Sequence, residues 1–217
     1  MFWLHPRQFK NTVKIINWGL FSIISLLCAS FTNAGTILVH GDSLSAGYGM
    51  LPEETWVALL QEKLGENHRI INSSISGETS KGGLDRMPAL LEAYQPDVVV
   101  LELGANDGLR GYPIPQMTDN LEQMITLAEQ AGSAVVLVGI RLPPNFGTRY
   151  TEPFFNSFAT LAEKYQLPYL PFLLEDVAQY ESLMQNDGLH PTAEAQAKIL
   201  DNVYPKIEEA LDLLTVP

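Results

Sequence analysis

Short β-branched runs alternate with helix-length amphipathic segments along residues 35–217, and that alternation admits few architectures. TILVHG (36–41) reads as a strand and is followed by PEETWVALLQEKLG, whose apolar residues recur at helical spacing up to a stop at Gly65. HRIINSSI (68–75) is a second strand, with a helix through LDRMPALLEAY behind it. DVVVLELG (97–104) is continuously apolar rather than alternating, as befits a strand covered on both faces. PQMTDNLEQMITLAEQAG then leads to the strand SAVVLVGI (133–140), and EPFFNSFATLAEKYQ leads to LPYLPF (167–172). At the end Ala195, Ile199, Val203, Ile207 and Leu211 recur every four residues on one helical face, with Pro205 expected to kink it. Repeated strand-then-helix order means a parallel sheet with helices packed on both faces, an α/β/α domain whose site lies at the carboxyl ends of the strands.

The first 34 residues follow a different rule. A stretch with Arg7, Lys10 and Lys14 and no acid precedes the short apolar run WGLFSIISLLCASF, and small residues lead up to Ala34. That order is that of a secretory signal peptide cleaved near Ala34, and the run is short for a membrane span. The expected mature chain, residues 35–217, is one domain without cysteine, placed in the periplasm or outside the cell. It retains 10 basic against 25 acidic residues, a net charge of −15, which disfavours nucleic acid and anionic lipid surfaces as partners. A monomer acting on a small molecule, with no stable membrane anchor after cleavage, is the expected state.

Three polar segments fall just beyond predicted strands, and a fourth lies in the segment between the last strand and the terminal helix. HGDSLS places Ser43 after the first, SISGETS places Gly77 after the second, LGANDG places Asn106 after the third, and NDGLHP places Asp187 and His190 after the last. Each has an ordinary structural reading. Asp42 and Ser43 suit a helix cap, a Gly-X-Asn-Asp stretch is turn chemistry, and Asp-X-X-His occurs by chance. Together at one sheet edge they supply every part of an acyl-transfer site. At a three-residue spacing the Asp187 carboxylate can hold the His190 imidazole in one tautomer, leaving its other nitrogen to take the Ser43 proton. The N–H groups of Ser43 and Gly77 and the amide of Asn106 are three donors for an oxyanion hole. Activity is then expected to rise as His190 loses its proton. Of the other histidines, His40 is expected to serve packing or a local hydrogen bond, and His68 to be exposed. No HExxH and no Cys–His cluster supports a metal, and SKGG lacks phosphate-loop spacing, so no cofactor is expected.

The blocks GDSLS, SISGETS, LGANDGLRG and DGLHP, in this order, resemble those of the SGNH (GDSL) hydrolase superfamily. QPDVVVLELGANDGLRG and IRLPPNFGTRY are similar to its bacterial thioesterase I / protease I / lysophospholipase L1 subfamily. The resemblance implies a flavodoxin-like five-stranded parallel sheet. It also implies Ser43 as nucleophile, His190 as base, Asp187 as its orienter, and Ser43, Gly77 and Asn106 as the oxyanion hole. The implied reaction is cofactor-free hydrolysis of carboxylic esters and acyl thioesters, including acyl-CoA, lysophospholipids and aryl esters. An α/β-hydrolase elbow is excluded, because Ser45 stands where G-x-S-x-G needs its second glycine. An acyltransferase using the same triad and a non-catalytic acyl-binding protein are the rival readings. In the loop 110–117, Tyr112, Pro113 and Ile114 are expected to line the acyl groove.

Overall fold

The computed structural model describes residues 1–3 and 35–215. The leader expected over residues 1–34 lies, apart from its first three residues, outside the described part. Among the described residues no helix is long and apolar enough to cross a membrane.

Five parallel strands form one sheet: β1 (Gly35–Gly41), β2 (His68–Asn72), β3 (Val98–Glu102), β4 (Ala134–Val138) and β5 (Tyr169–Leu170). Their order is β2-β1-β3-β4-β5. This is the flavodoxin-like doubly wound order, whose switch point lies between β1 and β3. The longer helices are α2 (Trp56–Leu64), α3 (Ser80–Tyr94), α5 (Ile114–Gln130), α6 (Thr148–Tyr165) and α7 (Gln196–Thr215). Two short ones, α1 (Ser43–Ala46) and α4 (Ala105–Leu109), follow β1 and β3 directly.

Period-two alternation sorts the strand residues between two cores. Ile37, Val39, Val98, Val100, Val136 and Val138 pack with Trp56 and Leu60 of α2 and Ile199, Val203 and Ile207 of α7. Leu38, Val99, Leu101, Val135 and Leu137 pack on the opposite face with Met87 of α3, Leu121 and Met124 of α5, and Phe154 and Phe158 of α6. Every residue of β3 is buried, which explains its unbroken apolar pattern. Pro205 lies inside α7, and the helix continues through it to Thr215.

Three local expectations are corrected. β5 spans only Tyr169–Leu170 because Pro168 and Pro171 bracket it and cannot donate to a ladder. α3 begins at Ser80 rather than near Leu84, capped by the Thr79 hydroxyl, which accepts from Gly82 N–H. His68 is half-buried rather than exposed, its ring packed against Gly35.

Candidate active site

β1 delivers Ser43 to the switch point. Asp42 ends the strand and caps α1, its carboxylate accepting from Leu44 N–H at 3.1 Å. Gly47 closes the helix in the left-handed region at φ 76°. Ser43 opens this single turn, half-buried, with its hydroxyl 2.9 Å from His190 Nε2.

His190 arrives from the far end of the chain. Gln185 N–H donates to His190 O at 2.7 Å and Thr192 N–H to Leu183 O at 2.8 Å, so residues 183–192 form a closed loop. Asp187 Oδ1 accepts from the N–H groups of Leu189 and His190 at 2.9 and 3.0 Å. Its Oδ2 lies 2.7 Å from His190 Nδ1. A carboxylate is acceptor only, so Nδ1 carries the proton and Nε2 is left to accept from the Ser43 hydroxyl. Partial burial pushes the Asp187 carboxyl up, but its hydrogen bonds to His190 and to the two backbone N–H groups prevail and bring it to about 2.

Asn106 lies in the first turn of α4, just past β3. Its Nδ2 donates to Asp42 Oδ2 at 3.1 Å, and the amide has a second N–H. Gly77 follows β2 in a turn closed by Glu78 N–H to Ile75 O, with φ 81°, a conformation that favours glycine. Ile75 N–H donates to Gly41 O at 3.1 Å, and Arg110 Nη2 donates to Gly77 O at 3.0 Å. The Gly77 turn is thus tied both to the end of β1 and to the end of α4.

Beside Ser43 and His190 opens a groove of about 220 Å³. Its wall is apolar and comes from Leu109, Ile140, Leu142, Pro143, Phe172 and Leu173. Tyr112, Pro113 and Ile114, expected to line it, are not among its lining residues. Ile114 instead starts α5 and packs on the core formed by α3, α5 and α6, while Tyr112 and Pro113 are exposed. The loops after β4 and β5 build the wall, because parallel strands bring all their carboxyl ends to one edge.

Two buried groups beneath the site were not singled out from sequence. Glu102, at the end of β3, is fully buried, and its Oε2 accepts from Asp42 N–H at 3.3 Å and from Ser45 Oγ at 2.7 Å. Burial pushes both the Glu102 and the Asp42 carboxyl up, and the Asp42 charge raises Glu102 further. An acid inside an otherwise apolar strand was the visible signal. A side chain at Gly41 would come within 2.6 Å of Glu102 Oε2, so the glycine makes room for this contact. Asp107 of α4 accepts from Ser80 N–H and Oγ at 2.8 and 2.6 Å, joining α4 to α3. His40, as expected, serves structure: Nε2 donates to Gly83 O at 3.0 Å, Nδ1 faces Ser73 Oγ, and burial holds the ring neutral by lowering its pKa to about 4. Among the described residues no group of three or more His, Cys, Asp or Glu side chains is placed to hold a metal ion.

Residues 39–198 match the GDSL-like lipase/acylhydrolase family. The chain belongs to this family. This GDSL-like hydrolase is 46% identical to esterase TesA of Pseudomonas aeruginosa over 82% of its own length and 90% of the relative's. It is 43% identical to thioesterase 1/protease 1/lysophospholipase L1 of Escherichia coli K12, covering 88% of this chain and 92% of that one. Among solved structures, the psychrotrophic esterase EstA of a Pseudoalteromonas species, inhibited by monoethylphosphonate, superposes with a TM-score of 0.78. It is 45% identical and covers 82% of this chain and 99% of its own. The GDSL-like hydrolase and its relatives therefore share the parallel α/β fold as well as sequence.

Proposed function

We propose that this protein hydrolyses carboxylic esters and acyl thioesters, aryl esters, lysophospholipids and acyl-CoA among them, through a covalent acyl-Ser43 intermediate. The observation that carries the reading is the Ser43–His190–Asp187 relay, with contacts of 2.9 and 2.7 Å. Ser43 Oγ attacks the acyl carbon as its proton passes to His190 Nε2. The oxyanion that forms is met by the N–H groups of Ser43 and Gly77 and by the Asn106 amide, donors worth on the order of 3 kcal/mol each when preorganised. The tetrahedral intermediate collapses, the C–O or C–S bond breaks, and the imidazolium proton goes to the leaving alkoxide or thiolate. A water deprotonated by His190 then attacks the acyl carbon, the C–Oγ bond breaks, and the imidazolium proton returns to Ser43 Oγ as the acid leaves. The apolar wall of Ile140, Leu142, Phe172 and Leu173 suits the acyl chain, and burying each methylene there contributes about 0.8 kcal/mol.

The names of the Pseudomonas and Escherichia relatives cover ester, thioester and lysophospholipid cleavage, which supports this substrate range. The test is turnover of aryl esters, lysophospholipids and acyl-CoA thioesters of increasing chain length, together with mass spectrometry after treatment with an alkyl phosphonate ester. The expected result is turnover that improves with chain length until the groove is filled, and a single phosphonyl adduct on Ser43. Acyl-chain binding with neither turnover nor adduct overturns the reading in favour of a binding protein. Product analysis with an added alcohol separates hydrolysis from acyl transfer.

Residues 1–34 act in this reading as a signal peptide, and residues 35–217 form the mature hydrolase of the periplasm or medium. The order of basic, apolar and small residues before Gly35 supports it. N-terminal sequencing of the exported protein is expected to begin at Gly35. An exported form that retains Met1 rules out cleavage.

A further inference from the structure

We infer that Gln185 is a positioning residue: its side-chain amide, bridging the Tyr48 and Pro191 carbonyls, holds the loop of Asp187 and His190 in register with the turn of Ser43. The inference rests on the reading of Ser43 and His190 as nucleophile and base.

The loop needs such a tie. Asn186, Asp187, Gly188 and Leu189 are all exposed, and core packing reaches the loop at its base, through Leu183, Met184 and the buried Pro191, not at the turn that carries Asp187. The α1 turn is a single turn of four residues continued by Gly47, Tyr48 and Gly49. These two segments lie 147 residues apart at the Ser43–His190 contact. Gln185 joins them directly. Its Nε2 donates to Tyr48 O at 2.8 Å and to Pro191 O at 2.9 Å, which uses both amide hydrogens. Its own N–H donates to His190 O at 2.7 Å, and its carbonyl accepts from Gly188 N–H at 2.9 Å. The same residue therefore closes the His190 loop by its backbone and docks that loop on the nucleophile turn by its side chain.

Two neighbours are fitted to this bridge. Gly49 sits at φ 75°, and a Cβ there would come within 2.6 Å of Gln185 Oε1, so the glycine gives the amide its place. The Tyr48 ring, half exposed, lies over the His190 ring with centroids 4.4 Å apart, and it rides on the carbonyl that Gln185 holds. Displacing a base from its nucleophile by about 1 Å costs on the order of 10²-fold in rate. The effect belongs chiefly in kcat, because this loop lends the groove Leu189 and His190 whereas the wall of Ile140, Leu142 and Phe172 lies on other loops.

The experiment compares the full chain with Gln185→Leu, Gln185→Glu, Gly49→Ala and the double variant Gln185→Leu/Gly49→Ala, on an aryl ester. Glutamate keeps the shape but turns a carboxylate oxygen toward two carbonyls. Both Gln185 variants are expected to lose roughly 10- to 100-fold in kcat with KM within about twofold. Gly49→Ala, which pushes the amide aside and also strains a left-handed backbone position, is expected to lower kcat and to combine with Gln185→Leu to less than the product of the two losses, the non-additivity of residues acting through one contact. Retention of kcat within about threefold in both Gln185 variants, or effects that multiply in the double variant, overturns the inference. So does failure of both Gln185 variants to fold, which would make the residue structural only. A wild type without turnover overturns the reading of Ser43 instead. The clamp is then judged by hydrogen exchange at the Leu189 and His190 amides, which is expected to speed up about tenfold or more in Gln185→Leu and stays unchanged if the clamp is wrong.

Discussion

Ser43→Ala is expected to lower kcat by about 10⁴-fold or more while leaving the fold and KM nearly unchanged. The size follows from what the hydroxyl does. In the proposed mechanism its oxygen is the one atom of the relay that bonds to the acyl carbon, and about 10⁴-fold corresponds to roughly 5.5 kcal/mol of barrier. The small structural cost follows from what the hydroxyl does not do. α1 is capped by the Asp42 carboxylate on Leu44 N–H and closed by Gly47 N–H on the backbone carbonyl of residue 43, so neither contact uses the side chain. The proposed oxyanion donors of Gly77 and Asn106 are untouched by the substitution and are expected to supply the residual rate over water. His190→Ala is expected to fall by a similar factor, and the double variant no further, because the two side chains act as one unit. Steady-state kinetics on an aryl ester with the thermal midpoint measured alongside checks this. Activity of Ser43→Ala within tenfold of wild type rules out the acyl-serine route.

β1, β3 and β4 were legible because their burial is two-sided and their length short. Val98 to Glu102 read as one uninterrupted run since every position is covered. Where local chemistry and tertiary packing conflict, the pattern misled. Gly82 and Gly83 are poor helix formers, yet they lie in the first turns of α3, and position 83 is glycine because a side chain there would come within 2.3 Å of Leu103 and 3.1 Å of His40. Ser43, Gly77 and Asn106 were legible because they stand shortly past β1, β2 and β3, whose carboxyl ends a parallel sheet gathers. Asp187 and His190 lie well past β5 and reach Ser43 through the loop 183–192. The acyl-groove wall was not legible. Ile140, Leu142, Phe172 and Leu173 are apolar residues beside apolar strands, and nothing in their order separates a groove from a core. Nearness in sequence to Asn106 points to Tyr112, but α4 carries the chain away and leaves Tyr112 exposed, its carbonyl accepting from Tyr150 Oη. Gln185 gave no sequence signal, because an amide that bridges two carbonyls from distant segments is a tertiary fact.

Asp187→Asn is expected to cost about 10⁴-fold in kcat, although it changes one oxygen for one nitrogen. The geometry decides which oxygen. Oδ1 accepts from Leu189 N–H and His190 N–H, so an asparagine must keep its carbonyl oxygen there or leave two donors facing an NH₂ group. Its nitrogen is then forced to the Oδ2 position, 2.7 Å from His190 Nδ1. A donor at that place makes Nδ1 an acceptor and moves the ring proton to Nε2, where it faces Ser43 and cannot take the hydroxyl proton. The loop itself survives, since both backbone bonds to Oδ1 are retained. Asp187→Ala removes those bonds as well and is expected to unfix the loop, so the two variants separate tautomer from position. The pH dependence follows with a definite sign. Asp187 has its carboxyl lowered to about 2, so the ionised form that holds the imidazole is fully present above the ordinary carboxylate value of about 3.9 and is lost only as pH falls through about 2. Loss of activity on mild acidification therefore does not report protonation of Asp187. A wild-type acid limb that persists unshifted in Asp187→Asn, with kcat reduced by less than tenfold, excludes this role for the carboxylate.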